Sequence, residues 1–228
     1  PLHPAQEMIE PMSRRSSLAA SGRGSRTESR VESRTNSRDY AAPTGSRYSG
    51  YAESLVEQPE LELGEAGNYT GQWKGHQRHG AGLLVQPSGS SYDGQWAWDK
   101  AHGHGTYIHA DGSKYEGEWV ENGQSGRGIE QTFDGAWYSG EFLFGSRHGA
   151  GIWNSNVGAD VGYKGQFADD RFHGEGCYNF ADGRTYIGQW ADGRMDGQGI
   201  MEWPSGAKYE GGFKEDMKDG EGTYYLSE

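Results

Sequence analysis

A phrase of five residues recurs seven times between residues 69 and 228. It reads Tyr, any residue, Gly, then Gln or Glu in all copies but the last, then Trp or Phe. It starts at Tyr69, Tyr92, Tyr115, Tyr138, Tyr163, Tyr186 and Tyr209, at intervals of 23, 23, 23, 25, 23 and 23 residues. Near-constant spacing of this size dictates an array of small units, none of which can bury its apolar face alone. The units divide at 69–91, 92–114, 115–137, 138–162, 163–185, 186–208 and 209–228, and residues 1–68, which lack the phrase, precede them.

The second unit, Tyr92 to Lys114, shows what each copy encodes. Tyr92, Gly94 and Trp96 alternate with polar residues and so share one face of a strand. A polar stretch, Asp99 to Ala101, is followed by His102-Gly103-His104-Gly105 and then Thr106-Tyr107-Ile108, a second strand. Ala110-Asp111-Gly112 closes the unit with the residue types that hairpin connections demand. The pattern predicts an all-β chain, seven hairpins giving about 14 strands in one meandering antiparallel sheet. The seven Tyr and the rings Trp73, Trp96, Trp119, Phe142, Phe167, Trp190 and Phe213 are its structural residues. The rings from Trp73 to Trp190 are expected to form a continuous row. With strands ~4.8 Å apart, the array would be about 65 Å long.

Composition supports a thin, aromatic sheet. Hydrophobic residues are only 32% of the chain, whereas Gly numbers 39 of 228. Aromatic rings, which bury roughly 150–250 Å² each, must supply much of the core. The net charge is −12, of which the repeats carry −10. Unaided binding to nucleic acid or anionic lipid, which requires basic surface, is therefore not expected. One cysteine, Cys177, excludes an internal disulfide framework, and no apolar run approaches the ~20 residues of a membrane helix. No signal peptide opens the chain, and the whole fits a soluble, intracellular setting.

Residues 1–68 hold eight Arg and no Lys. Their centre reads SRTESRVESRTNSR, with Ser-Arg every four residues from Ser25 to Arg38. Such a segment is expected to be disordered alone. The period of four would place Arg26, Arg30, Arg34 and Arg38 roughly on one side of a helix if a partner induced one, making them candidate contacts to an acidic partner. Arg14-Arg15-Ser16-Ser17-Leu18 makes Ser17 a candidate phosphosite, against the plainer reading of a solvated, unmodified tail. Residues 53–65, ESLVEQPELELGE, read as an acidic linker broken by Pro59.

The phrase, followed by Gly-x-x-His/Asp-Gly-x-Gly at a period of 23, resembles the MORN repeat (membrane occupation and recognition nexus) over residues 69–228. The resemblance implies a twisted, trough-shaped sheet whose groove accepts an extended peptide or a helix of a partner. Families with such repeats include junctophilins, plant lipid kinases, myosin-binding proteins and axonemal proteins. Short chains made mainly of repeats look most like the last group. The expectation is a non-enzymatic scaffold of the cytoskeleton in the ciliary or flagellar axoneme, at a radial spoke head or doublet-associated site, bound to other proteins of a large assembly. A membrane-proximal phospholipid adaptor and a regulatory module of a larger protein are the alternatives. Three departures stand out: Ser125 in place of His or Asp, two extra residues before Tyr163, and a seventh unit with Gly212 for the acid or amide and no closing Gly. That last unit presents an edge suited to self-association.

No constellation predicts chemistry, so no catalytic, metal or cofactor residue is assigned. His79, His102, His148 and His173 share one position of the unit, but equivalent positions lie two strands, roughly 9–10 Å, apart, too far for one zinc. They are read as stabilising turns. Cys177 falls among Leu83, Thr106, Ile129, Ile152, Ile200 and Thr223 in register and reads as a packed strand residue. No Gly-rich string precedes a helix ending in Lys-Ser/Thr, so none is a phosphate loop. Lys74, Asp99, Glu121, Asp169, Asp170 and Lys214 read as a solvated rim. Tyr107, Trp153, Tyr178, Met201 and Tyr224 share a register in the second strands, and they are the candidates for partner contact if that face is the open one.

Overall fold

Each predicted hairpin is present, and one strand precedes them. A computed structural model describes residues 54–227 apart from 157 and 159. The candidate contacts Arg26, Arg30, Arg34 and Arg38 and the candidate phosphosite Ser17 lie outside the described residues. The strands are β1 (Val56–Glu62), β2 (Asn68–Lys74), β3 (Gln77–Val85), β4 (Ser91–Ala97), β5 (Lys100–Ile108), β6 (Lys114–Val120), β7 (Gly123–Gln131) and β8 (Trp137–Leu143). They continue as β9 (Ser146–Asn154), β10 (Gly162–Ala168), β11 (Arg171–Asn179), β12 (Thr185–Ala191), β13 (Arg194–Glu202), β14 (Lys208–Lys214) and β15 (Met217–Tyr225). All lie in one open antiparallel sheet whose spatial order is the order of the chain.

The fifteenth strand is β1, where the sequence reads as an acidic linker. Its backbone pairs with β2 from Val56↔Trp73 to Glu62↔Asn68, and the register slips between Gln58 and Leu61. Pro59 lies in that slip, on the outermost strand, where a missing N–H costs no ladder bond. All seven β1 side chains are exposed, so β1 is held by backbone pairing rather than burial. Apolar periodicity is therefore absent from it, and the sequence carries no strand signal there.

The hairpin turns explain themselves by conformation. Trp98-Asp99, Glu121-Asn122, Asp169-Asp170 and Glu215-Asp216 all have φ between 48° and 74°. Two successive left-handed residues make the turn that matches strand twist, and Asp and Asn tolerate it best after Gly. The second turn residue also clasps the preceding hairpin. Asp99 N–H donates to the Arg78 carbonyl at 3.0 Å, and Arg78 N–H donates back to Asp99 Oδ1 at 2.9 Å. Asn122 and Ala101, Asp170 and Arg147, and Asp216 and Met195 repeat the exchange. Asp99 and Asp170 are thus staples between units and not merely a solvated rim. Gly145 and Gly193 keep only the backbone half of the clasp.

Rings and glycines build the core together. The cross-strand pairs run without a break from Gly71↔Gly82 to Gly211↔Gly222, forming one lane of glycine across the sheet. Each Tyr ring lies over its own glycine pair, and its hydroxyl donates to the carbonyl three residues on, as Tyr92 does to Gln95 at 2.9 Å. The ring then meets two others edge to face: Tyr92 is 5.0 Å from Trp96 and 5.1 Å from Trp119. The same two contacts recur from Trp73 through Tyr209, so Tyr rings alternate with Trp and Phe rings in one zipper. The predicted row is real, and the Tyr rings are half of it. Edge-to-face pairs add about 0.5–1.5 kcal/mol each beyond area burial, which suits a core poor in aliphatics.

Between the Gly94↔Gly105 and Trp96↔Ala101 pairs, β5 carries two residues more than β4. The excess is taken up at Gly103, φ 66°, and the Gln95 side chain folds over it to accept the His104 N–H at 2.8 Å. Gln72, Glu118, Gln166 and Gln189 act alike at their own bulges. The acid or amide of the phrase is thus a bulge filler. Gly212 removes it from the seventh unit, where a Cβ at Gly220 would meet nothing within 4 Å. The two extra residues before Tyr163 are absorbed in the connection, closed by Ser155 N–H to the Val161 carbonyl at 3.0 Å, and β9 and β10 keep their register.

Candidate functional site

The two faces of the sheet differ. One carries the ring zipper. Its second-strand positions pair with the Tyr lane: Tyr92↔Tyr107, Tyr138↔Trp153, Tyr163↔Tyr178, Tyr186↔Met201 and Tyr209↔Tyr224. The five candidate partner contacts therefore stand on the core face. Tyr107 and Met201 are buried, 3% and 4% exposed, and Trp153 and Tyr178 pack against the core. Tyr224, on the last strand, is half exposed. The register was read correctly, but it lies on the aromatic side, and burial withdraws Tyr107 and Met201 from any surface.

The opposite face is uncovered in the described structure. Its floor is a second unbroken lane: Thr70, Leu83, Asp93, Thr106, Glu116, Ile129, Ser139, Ile152, Lys164, Cys177, Ile187, Ile200, Glu210 and Thr223, each paired with the next. None of these side chains is buried. Leu83, Ile129, Ile152 and Ile187 are 38–52% exposed, an alignment of bare aliphatics that a solvated surface gives no reason to keep. A groove of about 690 Å³ lies on this face over β4 to β9, lined by Asp93, Thr106, Glu116, Ile129, Ser139, His104, Arg127, Glu141 and Ala150. A second depression of about 660 Å³ sits at the far end, against Gln198, Glu210, Glu221 and Thr223.

Along β2 to β15, strand alternation puts Asp93, Glu116, Glu118, Glu141, Glu175, Asp196, Glu202, Glu210, Asp219 and Glu221 on this face against Lys74, Lys100, Lys114, Arg127, Lys164, Arg171, Arg194, Lys208 and Lys214, which is close to balance. Lys114 bridges Glu116 at 2.7 Å and Lys208 bridges Glu210 at 3.2 Å, exposed pairs that neutralise little. Cys177 lies in the floor, partly buried; burial pushes its thiol up, away from thiolate chemistry. At the shared His position the His79 ring packs edge to face on the turn residue Trp98 at 4.9 Å. His79 and His148 leave Nδ1 buried without a protein partner, whereas the His148 and His173 carbonyls accept the Tyr138 and Tyr163 hydroxyls. Among the described residues no group of three or more His, Cys, Asp or Glu could hold a metal ion. No helix among them is long and apolar enough to cross a membrane.

The third unit interrupts the core face. Glu130 stands in the Tyr107 lane, 8% exposed, and accepts Arg147 Nε and Nη2 at 3.0 and 2.7 Å. Gln124 beside it is 1% exposed, and neither carboxamide atom has a protein partner. A buried unsatisfied amide costs about 1–3 kcal/mol, so Gln124→Met, near in volume, is expected to raise stability by about 1 kcal/mol. Urea unfolding of the two proteins measures it.

The matches to known proteins follow this geometry. The model for the MORN repeat fits residues 69–91, 92–114, 115–137, 138–156, 163–183, 186–208 and 209–227. The chain belongs to the MORN repeat family. No curated protein matches it. Among solved structures, the wild-type TCP10 domain of Danio rerio CPAP, in complex with a peptide of Danio rerio STIL, is similar over 70% of this chain and 84% of that one, at 15% identity and a TM-score of 0.21.

Proposed function

We propose that the protein is a non-enzymatic scaffold that holds a segment of another protein against the open face of its repeat sheet. The floor lane carries this reading: Ile129, Ile152 and Ile187 stand exposed in one line on an uncovered face, beside a groove of about 690 Å³. The net charge of −10 on the repeats disfavours an anionic lipid surface as the occupant. The setting proposed for this scaffold is the ciliary or flagellar axoneme, among other proteins of a large assembly and with the Arg-rich tail as a second tether; the resemblance to short axonemal repeat proteins supports that reading.

A photo-crosslinking residue at position 152 tests the contact in ciliated cells. The expected product is one defined protein adduct, reduced at least tenfold by Ile187→Asp. Equal crosslinking from position 133, in the turn between β7 and β8, would remove the assignment. Detergent extraction tests the setting: the protein should stay with axonemes, and release with the membrane fraction would favour the lipid adaptor.

A further inference from the structure

The β2 edge is covered by a strand unlike those inside the array. At six junctions the second strand of one hairpin pairs with the first strand of the next in one register: Gly opposite Trp or Phe, then Gly opposite Gly, as in Gly80↔Trp96 and Gly82↔Gly94. None of the six slips. The second glycine carbonyl also accepts the indole N–H that faces it: Trp96 donates to Gly82 at 2.9 Å, Trp119 to Gly105 at 3.0 Å and Trp190 to Gly176 at 3.2 Å. β1 instead sets Val56 against Trp73 and Gln58 against Gly71, slips before Leu61 and buries no side chain. Trp73 is 6% exposed, and its Nε1 is buried without a partner. A buried donor left unmade is costly, and it marks what β1 fails to supply.

We infer that β1 is a removable cap and that the β2 edge takes β15 of a second copy of this chain. Gly220-Glu221-Gly222-Thr223-Tyr224 repeats the second-strand pattern, and β15 pairs on one side only among the described residues. Continuing the internal register across two copies sets Gly220 against Trp73, Gly222 against Gly71 and Tyr224 against Tyr69. The Gly222 carbonyl then meets the idle indole N–H. The ring zipper continues as well. Trp73 meets only Tyr69, and Tyr209 only Phe213, where rings inside the zipper meet two. Docking sets Tyr209 of one copy against Trp73 of the other, as Tyr186 stands to Phe213 at 5.0 Å. The half-exposed Tyr224 gains the cover that leaves Met201 4% exposed. The two edges are different, so the contact is head to tail and each dimer keeps one edge of each kind. β1 restrains this growth because it must leave the β2 edge first.

Mixed single-cysteine chains test this in a Cys177→Ser background. Thr70→Cys on one full-length chain and Thr223→Cys on the other occupy positions that face each other at the internal junctions, as Leu83↔Asp93 does. Residues 56–63 are replaced by Gly and Ser in both, which removes β1 and also Leu63, packed against the core. Oxidation should give a disulfide-linked dimer at least tenfold more abundant from the mixture than from either chain alone. The same preference for the mixture should appear with β1 intact, at a yield at least tenfold lower. Trp73→Phe keeps a ring, as Phe142 does in its unit, and removes the donor. It should weaken association about fivefold, the worth of one hydrogen bond, without lowering the temperature of thermal unfolding. Equal dimer from the single chains would show like edges meeting and overturn the head-to-tail junction. Equal yield with and without β1 overturns the cap. No dimer from either mixture overturns both.

Discussion

Gly128→Ala is expected to cost about 3 kcal/mol of stability, the upper end of overpacking penalties, although it adds one methyl group. A Cβ at Gly128 would sit 2.5 Å from the Tyr115 hydroxyl and 2.6 Å from Cε2 of the same ring. The ring cannot step aside: it is 1% exposed and wedged between Trp119 at 5.1 Å and Phe142 at 4.9 Å. Backbone strain is not the cause, because Gly128 is not among the glycines of positive φ. Gly112→Ala supplies the contrast. Its φ is 89° but the space around it is open, so only the left-handed penalty of about 1–2 kcal/mol applies. Urea unfolding of both variants ranks them. A double-mutant cycle isolates the cause. In a Tyr115→Ala background Gly128→Ala should be nearly neutral, a coupling of about 2–3 kcal/mol. Additive effects would show that the ring over the glycine lane is not what excludes a side chain there.

Alkaline unfolding between pH 10 and 12 is the second large effect. Burial pushes the Tyr69, Tyr163 and Tyr186 hydroxyls from 10.0 up to about 12, and those of Tyr92, Tyr115 and Tyr138 further still. These rings are 0–1% exposed, so folding requires them neutral. In the unfolded chain they ionise near pH 10. Between these limits the unfolded state has lost protons that the folded state retains, so stability must fall as pH rises. Below pH 10 both states are protonated and the effect vanishes. Each tyrosine can contribute a slope of up to about 1.4 kcal/mol per pH unit, and six acting together amount to several kcal/mol per unit. Unfolding should therefore be cooperative and complete before pH 12, with tyrosinate absorbance rising together with the loss of near-ultraviolet dichroism. Gradual ionisation with dichroism retained would contradict the buried zipper.

The hairpin count was legible because Gly-containing closers and alternating rings mark every unit. The segment around Pro59 was not, since β1 buries no side chain and is recruited by the unpaired edge of β2. Asp99 and Asp170 looked like ordinary surface acids because their partners, Arg78 and Arg147, lie a full repeat away in the chain. The candidate site was legible in part. Ile129, Ile152 and Ile200 were seen to share one register with Cys177, but that register was read as packed. Its neighbour, holding Tyr107 and Met201, supplied the candidate contacts on the condition that its face is the open one, and the burial of both residues shows that it faces the core.

The sequence alone determined the periodicity, the all-β class and the need for glycine beneath aromatic rings. These follow from local rules: alternation within a strand, turn residues at positive φ, and a repeat too small to stand alone. Tertiary structure decided which face each second strand presents. The two-residue excess at each bulge leaves the alternation unchanged, as Ala101, Gly103, Gly105 and Tyr107 all face the rings, but the two-residue left-handed turn inverts it between the halves of a hairpin, so facing cannot be carried by counting from Tyr to Ile. Cross-strand pairing resolves it, setting the Tyr107 lane against the rings and leaving the isoleucines open.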